Sequence, residues 1–254
     1  MKYIYSLHSD IGISSKTNDD AVAFKSITAS SNDAVLCVLC DGMGGYEKGN
    51  VASSSVVNTF IKWFDNEFLK LINVFNADSL KSQWNFIIQD INSKIIKFGR
   101  ENKIQLGTTL TAILFFNNYY YCIHVGDTRL YKITNKVEQI TKDHSVVWEM
   151  YENQEIKFSE IETHPDRNQL TRCIGIMRRV DTDFYCGELS KNDVFLLCTD
   201  GFRHEISQEE MFELLNPNLL NKNEDIKTSI IRLTERAETR HEEDNITSAV
   251  IKII

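Results

Sequence analysis

Aspartate recurs along this chain in one setting, directly after a short apolar run and usually before glycine. The instances are Leu39-Cys40-Asp41-Gly42, Val125-Gly126-Asp127-Thr128 and Cys198-Thr199-Asp200-Gly201. In addition, Asp19-Asp20 leads into the run Ala21 to Lys25, and Asp244-Asn245 leads into the last apolar run. Taken alone, an Asp-Gly pair is an ordinary turn signal, because both residues suit the backbone conformations that turns need. The repetition constrains the chain further. Apolar runs of this length read as β-strands, and strand ends hold side chains more rigidly than loops do. If these aspartates converge, two carboxylates ~4 Å apart repel by ~4 kcal/mol at an effective dielectric of ~20. Several together therefore require cations. With oxygen donors alone, and no histidine or thiolate set beside them, the expected ions are Mg²⁺ or Mn²⁺ rather than zinc.

The intervening sequence predicts the scaffold. Alternating or apolar runs mark strands at Lys2 to Leu7, Ala21 to Lys25, Ala34 to Cys40, Thr109 to Phe116, Tyr119 to Val125 and Arg129 to Ile133. Three more follow at Thr182 to Gly187, Val194 to Cys198 and Ser248 to Ile253. Leu110, Ala112, Leu114 and Phe116 share one face of their run, and Asn117-Asn118 then suits a tight reversal into Tyr119. The period turns helical at Val57, Phe60, Ile61, Phe64, Phe68, Leu71 and Ile72, and again from Leu80 to Phe98, with Asn76 to Ser79 supplying cap chemistry between them. Ser207 with Glu210 makes a capping-box pattern, and Ile226, Ile230, Leu233 and Ala237 mark a helix before the last strand. Strands in groups, separated by helix pairs, predict α+β layers and not a parallel βαβ sheet. No Ser/Gly/Pro-rich linker interrupts the chain and only two prolines occur, so residues 1–254 are expected to form a single domain.

Composition narrows the class. The formal net charge of -8 argues against a surface built to lie along nucleic acid. No signal-peptide pattern opens the chain and no apolar run approaches the ~20 residues of a membrane span, so a cytoplasmic location without membrane attachment is expected. The six cysteines mostly sit in apolar runs and read as reduced core residues; Cys37 and Cys40 lie within one strand and lack the second ligand pair of a zinc site.

Around the aspartates stand longer motifs: Thr17-Asn18-Asp19-Asp20, DGMGGYEKGNVAS from Asp41, GTT from Gly107, HVGDTRLY from His124, TKDHS from Thr141, HPDRNQLTRCIG from His164, LLCTDGF from Leu196 and DNIT from Asp244. In this order, across nearly the whole chain, they resemble the metal-dependent protein phosphatases of the protein phosphatase 2C type, in a compact version that looks bacterial. The resemblance implies a four-layer αββα sandwich, two antiparallel β-sheets flanked by helix pairs. It further implies a metal centre at one end of the sandwich. There Asp41 bridges two core ions, the Gly42 carbonyl binds one of them, Asp200 and Asp244 hold the other, and Asp20 acts through water. Asp127 matches the position that, with Asp200, binds a third and weaker ion. The implied reaction is hydrolysis of phosphoserine and phosphothreonine in proteins by a metal-activated water, with Asp41, Asp200 and Asp244 as the catalytic carboxylates. The implied partners are phosphoproteins, namely a Ser/Thr kinase or its substrates, met by a monomer.

The sequence departs from the family pattern in two places. Ser15 stands where an arginine usually grips the substrate phosphate; neighbouring Lys16 is the candidate substitute, although a point charge cannot reproduce a two-pronged guanidinium. Tyr46 and Met43 occupy positions where relatives carry histidine, which leaves the proton donor to the leaving group unassigned. His124, His144 and His164 read as hydrogen-bonded structural residues. The segment between His144 and His164, with Trp148, Met150, Tyr151 and Phe158, is by the resemblance a flap beside the active site, and by its residues alone a surface helix and loop. Two rival functions share the fold: a pseudophosphatase that binds phosphoproteins without turnover, and a hydrolase of small phosphoesters.

Overall fold

The computed structural model describes residues 1–28, 33–44 and 48–254. Among them the strands are β1 (Tyr3–Asp10), β2 (Ala21–Thr28), β3 (Asp33–Cys40), β4 (Gly42–Gly44), β5 (Leu106–Thr108), β6 (Leu110–Phe116), β7 (Tyr119–Val125), β8 (Arg129–Ile133), β9 (Val137–Gln139), β10 (Asp183–Glu188), β11 (Val194–Cys198) and β12 (Ile246–Ile253). The helices are α1 (Gly49–Trp63), a single turn α2 (Leu69–Leu71), α3 (Ala77–Asn102), α4 (Val146–Glu152), α5 (Asp200–Arg203), α6 (Gln208–Leu215) and α7 (Asn223–Thr239).

Two antiparallel sheets, ordered β1-β12-β11-β8-β9 and β10-β7-β6-β3-β2, form the centre. Alternation along the strands builds the layers. On β3, Val35, Cys37 and Leu39 pack toward Phe195, Leu197 and Ile251 of the other sheet. The intervening Ala34, Leu36, Val38 and Cys40 pack with Val56 and Phe60 of α1 and with Trp84 and Ile88 of α3. On the far side, Val194, Leu196 and Cys198 of β11 meet Met211 of α6 and Ile230 and Leu233 of α7. The order helix, sheet, sheet, helix is the αββα sandwich expected from the resemblance.

Local signals account for most of the element ends. Asn76 accepts a hydrogen bond from the Ser79 N–H and opens α3, and Ser207 with Glu210 completes a capping box at α6. Asn117 and Asn118 both adopt positive φ, at 51° and 63°, and close the two-residue hairpin between β6 and β7. Other boundaries differ from the sequence reading. The run Thr109 to Phe116 starts one residue later as a strand, because Thr109 is engaged with Asp41: its N–H donates to the Asp41 carbonyl at 2.9 Å and its Oγ1 accepts from the Asp41 N–H at 2.8 Å. Helix α1 begins at Gly49, well before Val57, because its first buried residues, Ala52 and Ser53, are too small or polar to show a period. Cys186 is exposed on the edge strand β10, which corrects its assignment to the core; the other five cysteines are buried and all six are free thiols. Among the described residues no helix is long and apolar enough to cross a membrane.

Candidate metal centre

Strand register brings the recurrent aspartates to one end of the sandwich. In the sheet β10-β7-β6-β3-β2, Ala21 stands opposite Cys40, Leu39 opposite Thr111 and Leu110 opposite Val125. Asp20, Asp41 and Asp127 therefore leave that sheet at the same edge. In the other sheet Cys198 stands opposite both Arg129 and Ser248, which puts Asp200 and Asp244 at the matching edge. Asp127 lies where the chain passes from β7 in one sheet to β8 in the other.

Backbone contacts fix these positions. The Asp41 carbonyl accepts from Thr108 Oγ1 at 2.8 Å. Thr199 Oγ1 donates to Asp20 Oδ2 at 3.2 Å, Asp200 Oδ1 accepts from the Gly201 N–H at 2.8 Å, and Asp244 Oδ1 accepts from the Asn245 N–H at 2.7 Å. Gly42 is sealed from behind: a Cβ there would stand 2.4 Å from the Asp19 carbonyl and 2.5 Å from that of Gly49. Only glycine lets the chain turn so tightly beside Asp41.

The electrostatics are those of carboxylates gathered in a largely buried place. Asp41 keeps some accessible surface, yet the protein around it pushes its carboxyl well above the usual range, and the other leading influences, Asp20, Asp200, Asp127 and Asp244, all push the same way. Burial likewise raises Asp20, with Asp200 and Asp244 adding to it and bonds from Thr247 and Thr199 opposing it. Asp244, which is exposed at its surface, is still raised by burial and by Asp200. Asp127 is raised to about 7 by burial and Asp200, while Arg203 and Arg129 pull it back. Such a set suits hard divalent cations. Among the described residues no three His, Cys, Asp or Glu side chains already close around a single point.

Beside Asp244 lies a hollow of about 350 Å³ whose walls include Ser14, Ser15, Arg167, Asn168 and His204. Lys16 is exposed and does not line it. Arg167 reaches it from the segment after the flap, with Nη1 donating to the Glu162 carbonyl at 2.8 Å. Tyr46 lies outside the described residues; Met43 pairs with Gly107 in the small sheet β4-β5. The three motif histidines are hydrogen-bonded as expected. His124 contacts Thr111 Oγ1 at 2.9 Å and burial drives its pKa down to about 3, His144 Nδ1 accepts from the Gly126 N–H, and His164 Nδ1 from the Asp166 N–H. The flap comprises α4 and a 3₁₀ segment, Phe158–Thr163, with Trp148, Tyr151 and Phe158 packed edge to face.

Two groups of residues escaped the sequence reading. Asn245 ties three segments together, accepting from the Asp19 N–H at 2.7 Å and donating to the Ile11 and Thr17 carbonyls. A buried network joins Arg129 and Arg203 to Asp143, Glu162 and Asp127, and His204 stands 3.8 Å from Asp200 and 3.4 Å from Glu242. The spacing Asp200, Arg203, His204 within one helical turn is the signal that could have revealed the second group.

The protein phosphatase 2C family profile matches residues 13–249, and the chain belongs to that family. It is 29% identical over 222 residues to the serine/threonine phosphatase Stp of Listeria monocytogenes, covering 85% of this chain and 84% of the relative. Among solved structures, Stp1 from Staphylococcus aureus superposes with a TM-score of 0.85 at 30% identity, over 100% of this chain and 96% of the other. The catalytic domain of the serine/threonine protein phosphatase PstP, in complex with two manganese ions, superposes with a TM-score of 0.80 at 29% identity, over 99% and 98% of the two chains.

Proposed function

We propose that this chain is a metal-dependent protein serine/threonine phosphatase that hydrolyses phosphoserine and phosphothreonine in phosphoproteins. The observation that carries the reading is the meeting of Asp20, Asp41, Asp200 and Asp244 at one sandwich edge, with burial and neighbouring carboxylates raising Asp20, Asp41 and Asp244, in a chain of the protein phosphatase 2C family. Asp41 would bridge two Mg²⁺ or Mn²⁺ ions, the Gly42 carbonyl would join it on one, Asp200 and Asp244 would hold the other, and Asp20 would act through water. Bound there, the ions would supply Lewis acidity that activates a water nucleophile, and positive charge to offset the phosphoryl oxygens.

The remaining roles fall to the chain itself. Thr108 and Thr109 hold the Asp41 backbone, so that its carboxylate meets the ions without rearrangement. Arg167, in the hollow beside Asp244, offers guanidinium donors to the substrate phosphate where Ser15 cannot, and exposed Lys16 adds a point charge at the approach. The flap touches Arg167 through the Glu162 carbonyl, which accepts from Arg167 Nη1 at 2.8 Å, and would contact the protein part of the substrate. We further place the enzyme in the cytoplasm, as a single monomeric domain opposing a Ser/Thr kinase. Phosphate release from a phosphothreonine peptide tests the function, with Mn²⁺, with EDTA and beside a nucleotide substrate. Mn²⁺-dependent turnover of the peptide is expected; turnover of the nucleotide alone would refute it.

A further inference from the structure

We propose that Arg203 is a built-in cation that takes the place of a third metal ion at Asp127, so that this chain loads two ions and not three. The proposal rests on the two-ion centre described above. The resemblance puts a third ion between Asp127 and Asp200, but the structure already has a positive charge beside the Asp127 carboxylate. Arg203 Nη2 stands 3.6 Å from Asp127 Oδ2 and 3.5 Å from the Asp127 carbonyl, toward which it donates. Its side chain is 4% exposed, and a guanidinium does not lose its proton in a protein, so the charge is permanent.

Neighbouring groups hold Arg203 in place. Nη1 pairs with Glu162 Oε2 at 2.7 Å, and Nη2 lies 3.7 Å from Asp143 Oδ2. Arg129 completes the cluster, with Nη2 at 2.6 Å from Asp143 Oδ2 and 2.9 Å from Glu162 Oε1. Two guanidiniums thus face Asp143, Glu162 and Asp127, a nearly balanced set. Asp41 and Asp20 differ, since among the described residues no Lys, Arg or His nitrogen pairs with either carboxylate. The need for metal is therefore uneven across the centre: strong at Asp41 and Asp20, and largely met from within the protein at Asp127. A divalent ion entering there would have to displace or repel a buried guanidinium that Glu162 and Asp143 keep in position.

The test is metal stoichiometry. Metal-stripped full-length wild-type and Asp127→Asn proteins are titrated with Mn²⁺ by calorimetry, and bound metal is counted after dialysis. Two ions in both proteins is the expected result. Three in wild type falling to two in Asp127→Asn would overturn the proposal, whereas an absence of bound ions would overturn the two-ion centre itself and the proposal with it. Arg203→Gln, if its melting is cooperative, should gain a third, weaker site that the Arg203→Gln/Asp127→Asn double variant lacks. A folded Arg203→Gln protein that still takes two ions would also count against the proposal. If that variant does not fold, the wild-type and Asp127→Asn pair still decides.

Discussion

Asn245 accepts the Asp19 N–H at 2.7 Å, joining the loop before β2 to the loop before β12 across 226 residues. The same side chain donates to the Ile11 and Thr17 carbonyls at 2.9 and 3.1 Å. Asp20 and Asp244 are each one residue from a partner in this tie, so it sets their separation. Asn245→Ala strands a donor and two acceptors, and a loss of about 2–4 kcal/mol in urea denaturation is expected. Mn²⁺ affinity should fall as well; a variant with wild-type stability and affinity would show that the tie positions nothing.

The phosphate-binding role divides between two cations. Arg167 lines the hollow beside Asp244 and Lys16 does not. Arg167→Ala should raise KM for a phosphopeptide about tenfold, the ~1.4 kcal/mol of one charge-assisted hydrogen bond, with Mn²⁺ affinity unchanged. Lys16→Ala should raise it only about twofold, as befits an exposed charge. Steady-state kinetics on both variants measure this, and an unchanged KM would remove the residue concerned from the site.

Glu162 fastens the flap to the sandwich through Arg129 at 2.9 Å and Arg203 at 2.7 Å. Glu162→Gln weakens both pairs and loosens the flap where its Glu162 carbonyl holds Arg167. The expected outcome is a higher KM for phosphoprotein, with a much smaller change for a small aryl phosphate; equal losses on both substrates would argue against a part in substrate selection.

Without metal, the centre makes stability fall as pH rises. A carboxyl with a raised folded-state pKa holds its proton more tightly folded than unfolded, so stability is lost from its ordinary range up through the folded value. For Asp127 that window runs from 3.8 to about 7, and Asp20 and Asp41 act in the same direction. Metal-stripped protein should therefore melt at a lower temperature at about pH 7.5 than at about pH 5.5, and Mn²⁺ should close much of the gap. Asp41→Asn should flatten the dependence. Differential scanning calorimetry reads all three.

The sequence carried the layers and the carboxylates because both follow local rules. Strands β3 and β11 show in the sequence as short, continuously apolar runs, the period-two face shows on β6 at Leu110, Ala112, Leu114 and Phe116, and each strand-end aspartate is marked by its turn. The small β4-β5 sheet does not show, because three residues are too few to alternate and its pairing is set by Asp41 binding Thr109 from 68 residues away. Nothing near Arg129 and Arg203 in sequence reveals that Glu162 and Asp143 pair with them in the fold. Asn245 was hidden for the same reason: its partners lie at the opposite end of the chain.

The central claim is that Asp41 bridges ions that activate water. It is tested most directly by comparing wild-type and Asp41→Asn turnover of a phosphothreonine peptide over a Mn²⁺ series, with calorimetric Mn²⁺ binding on the same samples. The account predicts loss of the high-affinity ions and a fall of ~10⁴ in rate, equivalent to ~5.5 kcal/mol. Wild-type Mn²⁺-dependent turnover by the Asp41→Asn protein would contradict it.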